Sequence, residues 1–328
     1  MAVVLCGIPM RIQIICPAAA GSRSGNRITA ERWAHILRGL GHHVRITQQY
    51  NGEHSDLLIA LHARRSAEAV LRFHAAHPEK PVVVALTGTD IYRDLRRSRR
   101  AQRALERADR LVALQPRGLD KIPAALRPKA RVIYQSAEPM RRRPRSARFF
   151  DVAVVGHLRQ VKDPFRAARA SRLLPPESRI RILHAGAELE PGMAARARAE
   201  QRRNPRYRWR GELSPAASRR LIAASHLLVL SSLMEGGANV ISEAVRSGVP
   251  VLASRIEGNV GLLGAGYAGY FRAGDTRGLA RLLWRSETDA RFYARLKKHC
   301  ARLEPRFHPA RERAAWKKLL GGLRGGWV

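Results

Sequence analysis

The sequence predicts an α/β protein of two domains, each a parallel sheet covered by helices. Three observations predict it. First, strand–turn–helix–strand units recur. In one of them the apolar run 226–231 leads into Ser232, Leu233, Met234, Glu235, Gly236, Gly237, Ala238 and Asn239. Val240, Ile241, Ala244 and Val245 then recur at helical spacing, Ser247-Gly248 closes the helix, and 249–253 is the next strand. Second, hydrophobic residues make up 45% of the chain and aromatics only 6%, so the cores are aliphatic, which suits buried parallel strands. Third, 328 residues suffice for two domains of ordinary size, and the apolar pattern lapses over 136–147, where Pro139, Pro144 and an arginine run mark a linker.

The first domain is expected over 10–140. Residues 11–16 form its first strand and 17–27 a loop of small residues. A helix follows from Thr29 to Leu40 on Ala30, Trp33, Ala34, Leu37 and Leu40, Gly41 ends it, and 44–46 is a strand. A glycine loop at a helix N-terminus favours anions, so Gly25, Asn26 and Arg27 are candidate contacts, although the loop lacks the GxGxxG pattern and also reads as a plain connection. Strand 56–62 ends in His62, helix 66–77 follows, and strand 81–86 runs into Thr87, Gly88, Thr89 and Asp90. Ligands of open α/β sheets bind at the carboxyl ends of strands, where all five of these residues fall. His62 also reads as a structural histidine, and Asp90 as the N-cap of a following helix. Strands at 109–114 and 131–135 complete the domain.

The second domain is expected over 148–305. Strand 149–155 leads into Gly156-His157-Leu158-Arg159-Gln160-Val161-Lys162-Asp163-Pro164, with a helix beginning near Pro164. Arg159 and Lys162 beside a helix start suit a diphosphate, two cations with amides close by. Strand 180–185 ends at Gly186, and strand 207–210 at Gly211, Glu212 and Leu213. Glu235 lies in the turn before its helix and Glu243 eight residues on, inside it. Two helical turns span about seven residues, so both carboxylates fall near one side of the helix. Gly236, Gly237 and Ala238 have little side-chain bulk, so their amides can approach a ligand. Spacing alone fits equally a helix cap and a solvated glutamate. A strand at 266–271, a helix from Gly274-Asp275 to Trp284 and helices near 287–303 and 309–320 close the chain.

The net charge is +35, from 61 basic and 26 acidic residues. Such charge attracts polyanions. The arginines are spread over expected outer helix faces, however, and no zinc-finger spacing or ribonucleoprotein aromatic motif marks a specific nucleic-acid module. Cys6, Cys16 and Cys300 have no metal-type spacing, and their odd number argues for a reducing cytoplasm rather than a disulfide framework. No apolar run reaches membrane-spanning length, so stable membrane insertion is not expected. Residues 1–17 mimic a signal peptide but lack a basic start and are interrupted by Arg11, so 11–16 is read as a strand with Met10 as the working start.

Glu235–x7–Glu243, with Ser232 before it and Ser247-Gly248-Val249-Pro250-Val251 after it, resembles the donor-site signature of family-4-like glycosyltransferases of the GT-B fold. The resemblance implies two Rossmann-like domains with parallel sheets facing a central cleft. It implies that Glu235 contacts the donor sugar and Glu243 holds the ribose hydroxyls of the nucleotide. Where the family carries Gly-Phe-Gly, this chain has Gly236-Gly237-Ala238-Asn239. Lys162 matches the lysine of the family's Gly-Arg-Leu-x-x-x-Lys; the arginine position is His157, with Arg159 expected to take its part. The stretch at Gly211, Glu212 and Leu213 then frames the base, residues 236–240 complete the donor site, and the helix in 306–328 returns to the first domain.

A narrower resemblance rests on 24–34, 86–92, 156–166 and 235–240 together, which look like the selenosugar synthase family of selenoneine biosynthesis. It implies transfer of the sugar of a UDP-sugar to selenophosphate, forming a carbon–selenium bond, with Gly25, Asn26, Arg27, His62, Thr87, Gly88, Thr89 and Asp90 on the acceptor side. Selenium is already a soft nucleophile, so no strong base is needed, and Arg159 and Lys162 neutralise the leaving phosphate. Neither cofactor nor metal is expected. A transferase with a hydroxyl acceptor is the rival reading and would need His62 or Asp90 as base. A basic nucleic-acid-binding protein on the same scaffold is the second rival.

Overall fold

A computed structural model describes residues 8–88, 90–95, 97–140 and 144–324. The chain forms two compact units, Met1–Gln135 with Ala310–Val328, and Ser136–Pro309. Each is built on a six-stranded parallel sheet.

In the first unit the strands are β1 (Arg11–Ile15), β2 (His43–Thr47), β3 (Leu57–Leu61), β4 (Val82–Leu86), β5 (Arg110–Ala113) and β6 (Ala130–Val132), in the order β2-β1-β3-β4-β5-β6. β3 and β4 read LLIAL and VVVAL and are buried along their whole length, as strands covered on both faces must be. Helices α1 (Gly25–Arg38), α2 (Ala67–Ala76) and α3 (Arg99–Arg107) connect them. α1 begins earlier than its apolar spacing suggests, because the Ser24 hydroxyl caps it and accepts from the Arg27 amide. Gly25, Asn26 and Arg27, read above as loop, are therefore its first turn.

In the second unit β7 (Phe150–Val155), β8 (Ile180–Ala185), β9 (Tyr207–Trp209), β10 (Leu227–Leu230), β11 (Val251–Ser254) and β12 (Tyr270–Phe271) lie in the order β12-β11-β10-β7-β8-β9. The helices are α4 (Arg166–Ser171), α5 (Met193–Arg203), α6 (Pro215–Ala224), α7 (Asn239–Arg246), α8 (Glu257–Leu263), α9 (Thr276–Thr288) and α10 (Ala290–Leu303). The unit begins at Ser136, ahead of the proline-rich stretch, because Ala137 donates to the Phe307 carbonyl at 3.1 Å and accepts from Arg246 Nε at 3.1 Å. Arg246, buried, also pairs with Glu304. The arginine run at 141–143 lies outside the described residues.

The last helix, α11 (Pro309–Arg324), supplies Trp316, Leu319, Leu320 and Leu323 to the core of the first unit. Trp316 meets Trp33 edge to face with centroids 4.8 Å apart. Glu312 is 2% exposed, accepts from Trp33 Nε1 at 2.8 Å and pairs with Arg32 at 3.2 Å. That buried carboxylate is compensated by a donor and a cation from α1, as a buried charge requires. Among the described residues no helix is long and apolar enough to cross a membrane.

Candidate active site

In the second unit, β7 and β10 are neighbours, and both end in loops at the carboxyl edge. Residues 160–162 form one tight turn after β7, and Asp163 takes a left-handed conformation with φ +43°. A non-glycine residue there costs about 1–3 kcal/mol, and hydrogen bonds from three donor groups hold the turn. The Ser231 hydroxyl donates to the Asp163 carbonyl at 2.8 Å and to the Lys162 carbonyl at 3.2 Å. The Leu233 amide donates to the Val161 carbonyl at 2.8 Å. The Asp163 carboxylate accepts from Arg166 Nε at 2.6 Å. α4 starts only at Arg166, so Lys162 does not sit at a helix start as its sequence suggests; the intervening left-handed residue breaks the helical path.

This stitching brings Lys162 Nζ within 2.5 Å of Glu235 Oε1. The Ser232 hydroxyl donates to the same oxygen at 2.6 Å. Glu235 is 9% exposed, and its Oε2 has no hydrogen-bond partner among the described residues. A nearly buried carboxylate thus has one oxygen saturated and one open, beside a cation that is 30% exposed. Ser254, at the end of β11, donates to the Ser232 carbonyl at 2.5 Å. Gly258 packs so closely that a Cβ there would lie 2.0 Å from the Glu235 carbonyl oxygen.

The other expected donor-side residues flank this core. Glu243 is half-buried on α7, and Gly236 to Ala238 precede that helix as a non-helical turn. Asn239 and Val240 open the helix. Arg159 is half-buried and lies 3.9 Å from Glu190, whose other oxygen accepts from the Gln160 amide at 2.8 Å. His157 Nδ1 accepts from the Ala187 amide at 3.2 Å, which ties the loop after β7 to the loop after β8. Below it, fully buried His184 takes a hydrogen bond from the Tyr207 hydroxyl on Nδ1 (2.8 Å) and donates from Nε2 to the Gly156 carbonyl (3.1 Å). Burial pushes the His184 imidazolium down to a pKa of about 4 and pushes the Tyr207 phenol up, so the pair stays neutral. A Cβ at Gly186 would lie 1.9 Å from the Gly156 carbonyl oxygen, so only glycine fits. Gly211 has φ +66° and its carbonyl accepts from the Gly186 amide; Glu212 beside it is exposed and Leu213 half-buried.

The expected acceptor-side residues all lie in the first unit. Arg27 is paired with Glu31 one turn along α1, at 2.7 Å. Fully buried Asp90 accepts from the Gly88 amide at 2.8 Å and the Ala63 amide at 2.9 Å, one on each oxygen. It is not a helix cap: it opens a single π-helical turn in which the Leu95 amide returns to its carbonyl. His62, buried with φ +71°, accepts from the Arg65 amide on Nδ1 at 3.3 Å, with Asp90 4.0 Å away. His62 Nδ1 and both Asp90 oxygens are thus each engaged by a backbone amide, and both residues are buried. The Thr87 hydroxyl is buried without a hydrogen-bond partner among the described residues. Thr89 lies outside the described residues.

Ser254, Gly258 and Asn259 are absent from the sequence reading. Ser254 ends β11, and α8, which carries Gly258 and Asn259, has one usable signal: Ile256, Val260 and Leu263 repeat at helical spacing directly after a strand.

Residues 138–300 match the family model described as glycosyl transferases group 1. Among solved structures, the chain is similar to Anabaena Alr3699/HepE in complex with UDP-glucose, with TM-score 0.75 and 18% identity over 95% of this chain and 100% of that one. It is similar to sucrose-phosphate synthase from Thermosynechococcus elongatus, with TM-score 0.74 and 16% identity over 96% and 99% of the two chains. It is also similar to a glycosyltransferase from Rickettsia africae, with TM-score 0.72 and 13% identity over 97% and 99%. At these identities the likeness establishes the fold, two parallel-sheet Rossmann-like domains of the GT-B class.

Proposed function

We propose that this chain, whose residues 138–300 match the family model described as glycosyl transferases group 1, is a glycosyltransferase that transfers the sugar of a UDP-sugar to selenophosphate. The observation that carries the donor half is the Lys162–Glu235–Ser232 cluster at the carboxyl ends of β7 and β10. An ammonium beside a carboxylate with one open oxygen suits a sugar joined to a diphosphate. The open oxygen accepts from a sugar hydroxyl, and the cation meets the phosphate. Charge grows on the leaving UDP as the glycosidic bond lengthens, so a cation there stabilises the transition state more than the bound donor. Arg159 stands three residues before Lys162 on the same turn and adds to that charge. Glu243, half-buried on α7, takes the ribose hydroxyls, and the similarity to a structure holding UDP-glucose supports a uridine nucleotide.

The acceptor half rests on the residue pattern at 24–34, 86–92, 156–166 and 235–240 and on one feature of the first unit. His62 and Asp90 are both engaged by backbone amides, which favours an acceptor that is already a nucleophile over a hydroxyl that must lose a proton. No metal is needed in this reading, because Lys162 and Arg159 supply the positive charge.

Purified protein is incubated with UDP-glucose or UDP-N-acetylglucosamine and selenophosphate, and the products are read by mass spectrometry. A selenosugar is expected; release of UDP only when a glycan or lipid hydroxyl is supplied instead would assign the rival acceptor. For the nucleotide, Glu243→Ala is expected to weaken UDP binding by roughly 1.5–3 kcal/mol in calorimetry, the scale of a hydrogen bond to a charged group. Unchanged affinity would remove Glu243 from the site.

A further inference from the structure

Glu235 stands at the end of a hydrogen-bonded chain that runs inward, away from any ligand. Asn259 Nδ2, on α8, donates to Ser254 Oγ at 3.2 Å and to the Ser254 carbonyl at 2.9 Å. Ser254 Oγ donates to the Ser232 carbonyl at 2.5 Å, and Ser232 Oγ donates to Glu235 Oε1 at 2.6 Å. Ser232, Ser254 and Asn259 are each completely buried. None of them can touch a donor sugar, yet each carries polar groups that are costly to bury. Aliphatic residues of similar size would fill β11 and α8 at less cost. What the polar chain adds is direction: every link has one donor and one acceptor, so the peptide at 232 and the rotamer of Glu235 have a single arrangement.

The packing has the same consequence. Gly258, next to Asn259, lets α8 press on the backbone carbonyl of Glu235 itself. α8 therefore grips Glu235 twice, through contact at residue 258 and through the hydrogen-bonded chain from residue 259. With Lys162 and Ser232 both on Oε1, Oε2 is the oxygen left for a ligand.

We propose that Ser254 and Asn259 are positioning residues that hold Glu235 Oε2 toward the donor sugar. The inference rests on the reading of Glu235 as the sugar contact. It assigns the sugar-dependent part of donor affinity to a buried chain on β11 and α8.

The test is calorimetric binding of UDP and of UDP-glucose or UDP-N-acetylglucosamine, whichever the parent binds more tightly, to the full chain. Ser254→Ala is expected to lower UDP-sugar affinity at least fivefold and to change UDP affinity less than twofold. Ser254→Thr keeps the hydroxyl and is expected to stay within twofold of the parent for both. In a Glu235→Gln background, Ser254→Ala is expected to cause no further loss, because its effect travels through the carboxylate. If Ser254→Ala fails to fold, Asn259→Ala, which removes the donor to Ser254 Oγ, enters the same comparison. Equal losses for UDP and UDP-sugar, or a Ser254→Ala loss that persists undiminished with Glu235→Gln, would overturn the inference. A parent that binds neither ligand would overturn the proposed function instead, and this inference with it.

Discussion

The two sheets place carboxylates at the same kind of position, the carboxyl edge of parallel strands, and use them in opposite ways. In the first unit Asp90 is fully buried, and both its oxygens are occupied by the amides of Gly88 and Ala63. In the second unit Glu235 has Oε1 doubly engaged by side chains, while Oε2 has no partner among the described residues. The histidines differ as well. His62 receives a backbone amide close to Asp90, whereas His184 is locked neutral between Tyr207 and the Gly156 carbonyl. A carboxylate saturated by amides ties loops together; one saturated on a single oxygen by a cation and a hydroxyl is left to bind. Position at a strand end nominates a residue, and the partners of each oxygen decide its use.

The sharpest way to break this comparison is to move Glu235 without changing it. In Gly258→Ala the new Cβ would lie 2.0 Å from the Glu235 carbonyl oxygen, so backbone must shift. Turnover is expected to fall by more than about a hundredfold, the scale for a reacting group displaced by an ångström, with a stability cost of about 1–3 kcal/mol from overpacking. Steady-state rates and urea unfolding measure the two separately; near-normal turnover would show that Glu235 need not be held so closely.

The His184 contrast has a pH signature. Its folded pKa lies near 4 because burial disfavours the imidazolium, against 6.5 for the free side chain. Between those values the unfolded chain binds a proton that the folded chain does not. This contribution is fully present above about pH 6.5. It is lost as pH falls, reaching about 3 kcal/mol by pH 4, and then levels off. Urea unfolding of the parent and of His184→Gln between pH 7 and 4 is expected to show that difference in slope. Parallel curves would mean His184 is protonated in the folded protein.

Lys162→Ala removes the cation from Glu235 and, in the proposed function, from the leaving phosphate. The turnover number is expected to fall on the order of a hundredfold, by analogy with loss of one oxyanion donor, and more than the Michaelis constant rises. A turnover number within about twofold of the parent, under half a kcal/mol in barrier, would sink that role. Asp90→Ala sharpens the comparison from the other unit. It leaves two amides without their acceptor and is expected to cost about 2 kcal/mol of stability, with UDP affinity unchanged. A loss of UDP binding at undiminished stability would make Asp90 a ligand residue instead of a loop anchor.

Much of this was readable from the residues. β8 was expected at 180–185 and is found there, and β3 and β4 were expected within one residue of where they run. Uninterrupted aliphatic runs between polar turns are a strong local signal. Ser232, Glu235 and Lys162 were singled out on the Glu–x7–Glu spacing and the lysine turn, and the structure brings the three together. α1 began four residues early because a capping serine outweighs the start of the apolar repeat. α8 was missed because a short helix of mixed residues has a weak period, and with it went Gly258 and Asn259; Ser254 lies one residue past the strand expected at 249–253.

What is local along the chain was therefore decided by the sequence: strand periods, glycine turns, and the polar residues that follow strands. What depends on strand order and register was decided only by the tertiary structure, since no local period encodes it. Lys162 and Glu235 are 73 residues apart and meet because β7 and β10 are neighbours in the sheet. Trp33 and Glu312 are 279 apart and meet because the last helix packs into the core of the first unit. Which oxygen of a carboxylate stays open follows from such meetings, because a side chain's chemistry is set by the groups that desolvate it and hydrogen-bond to it, and those come from elsewhere in the chain.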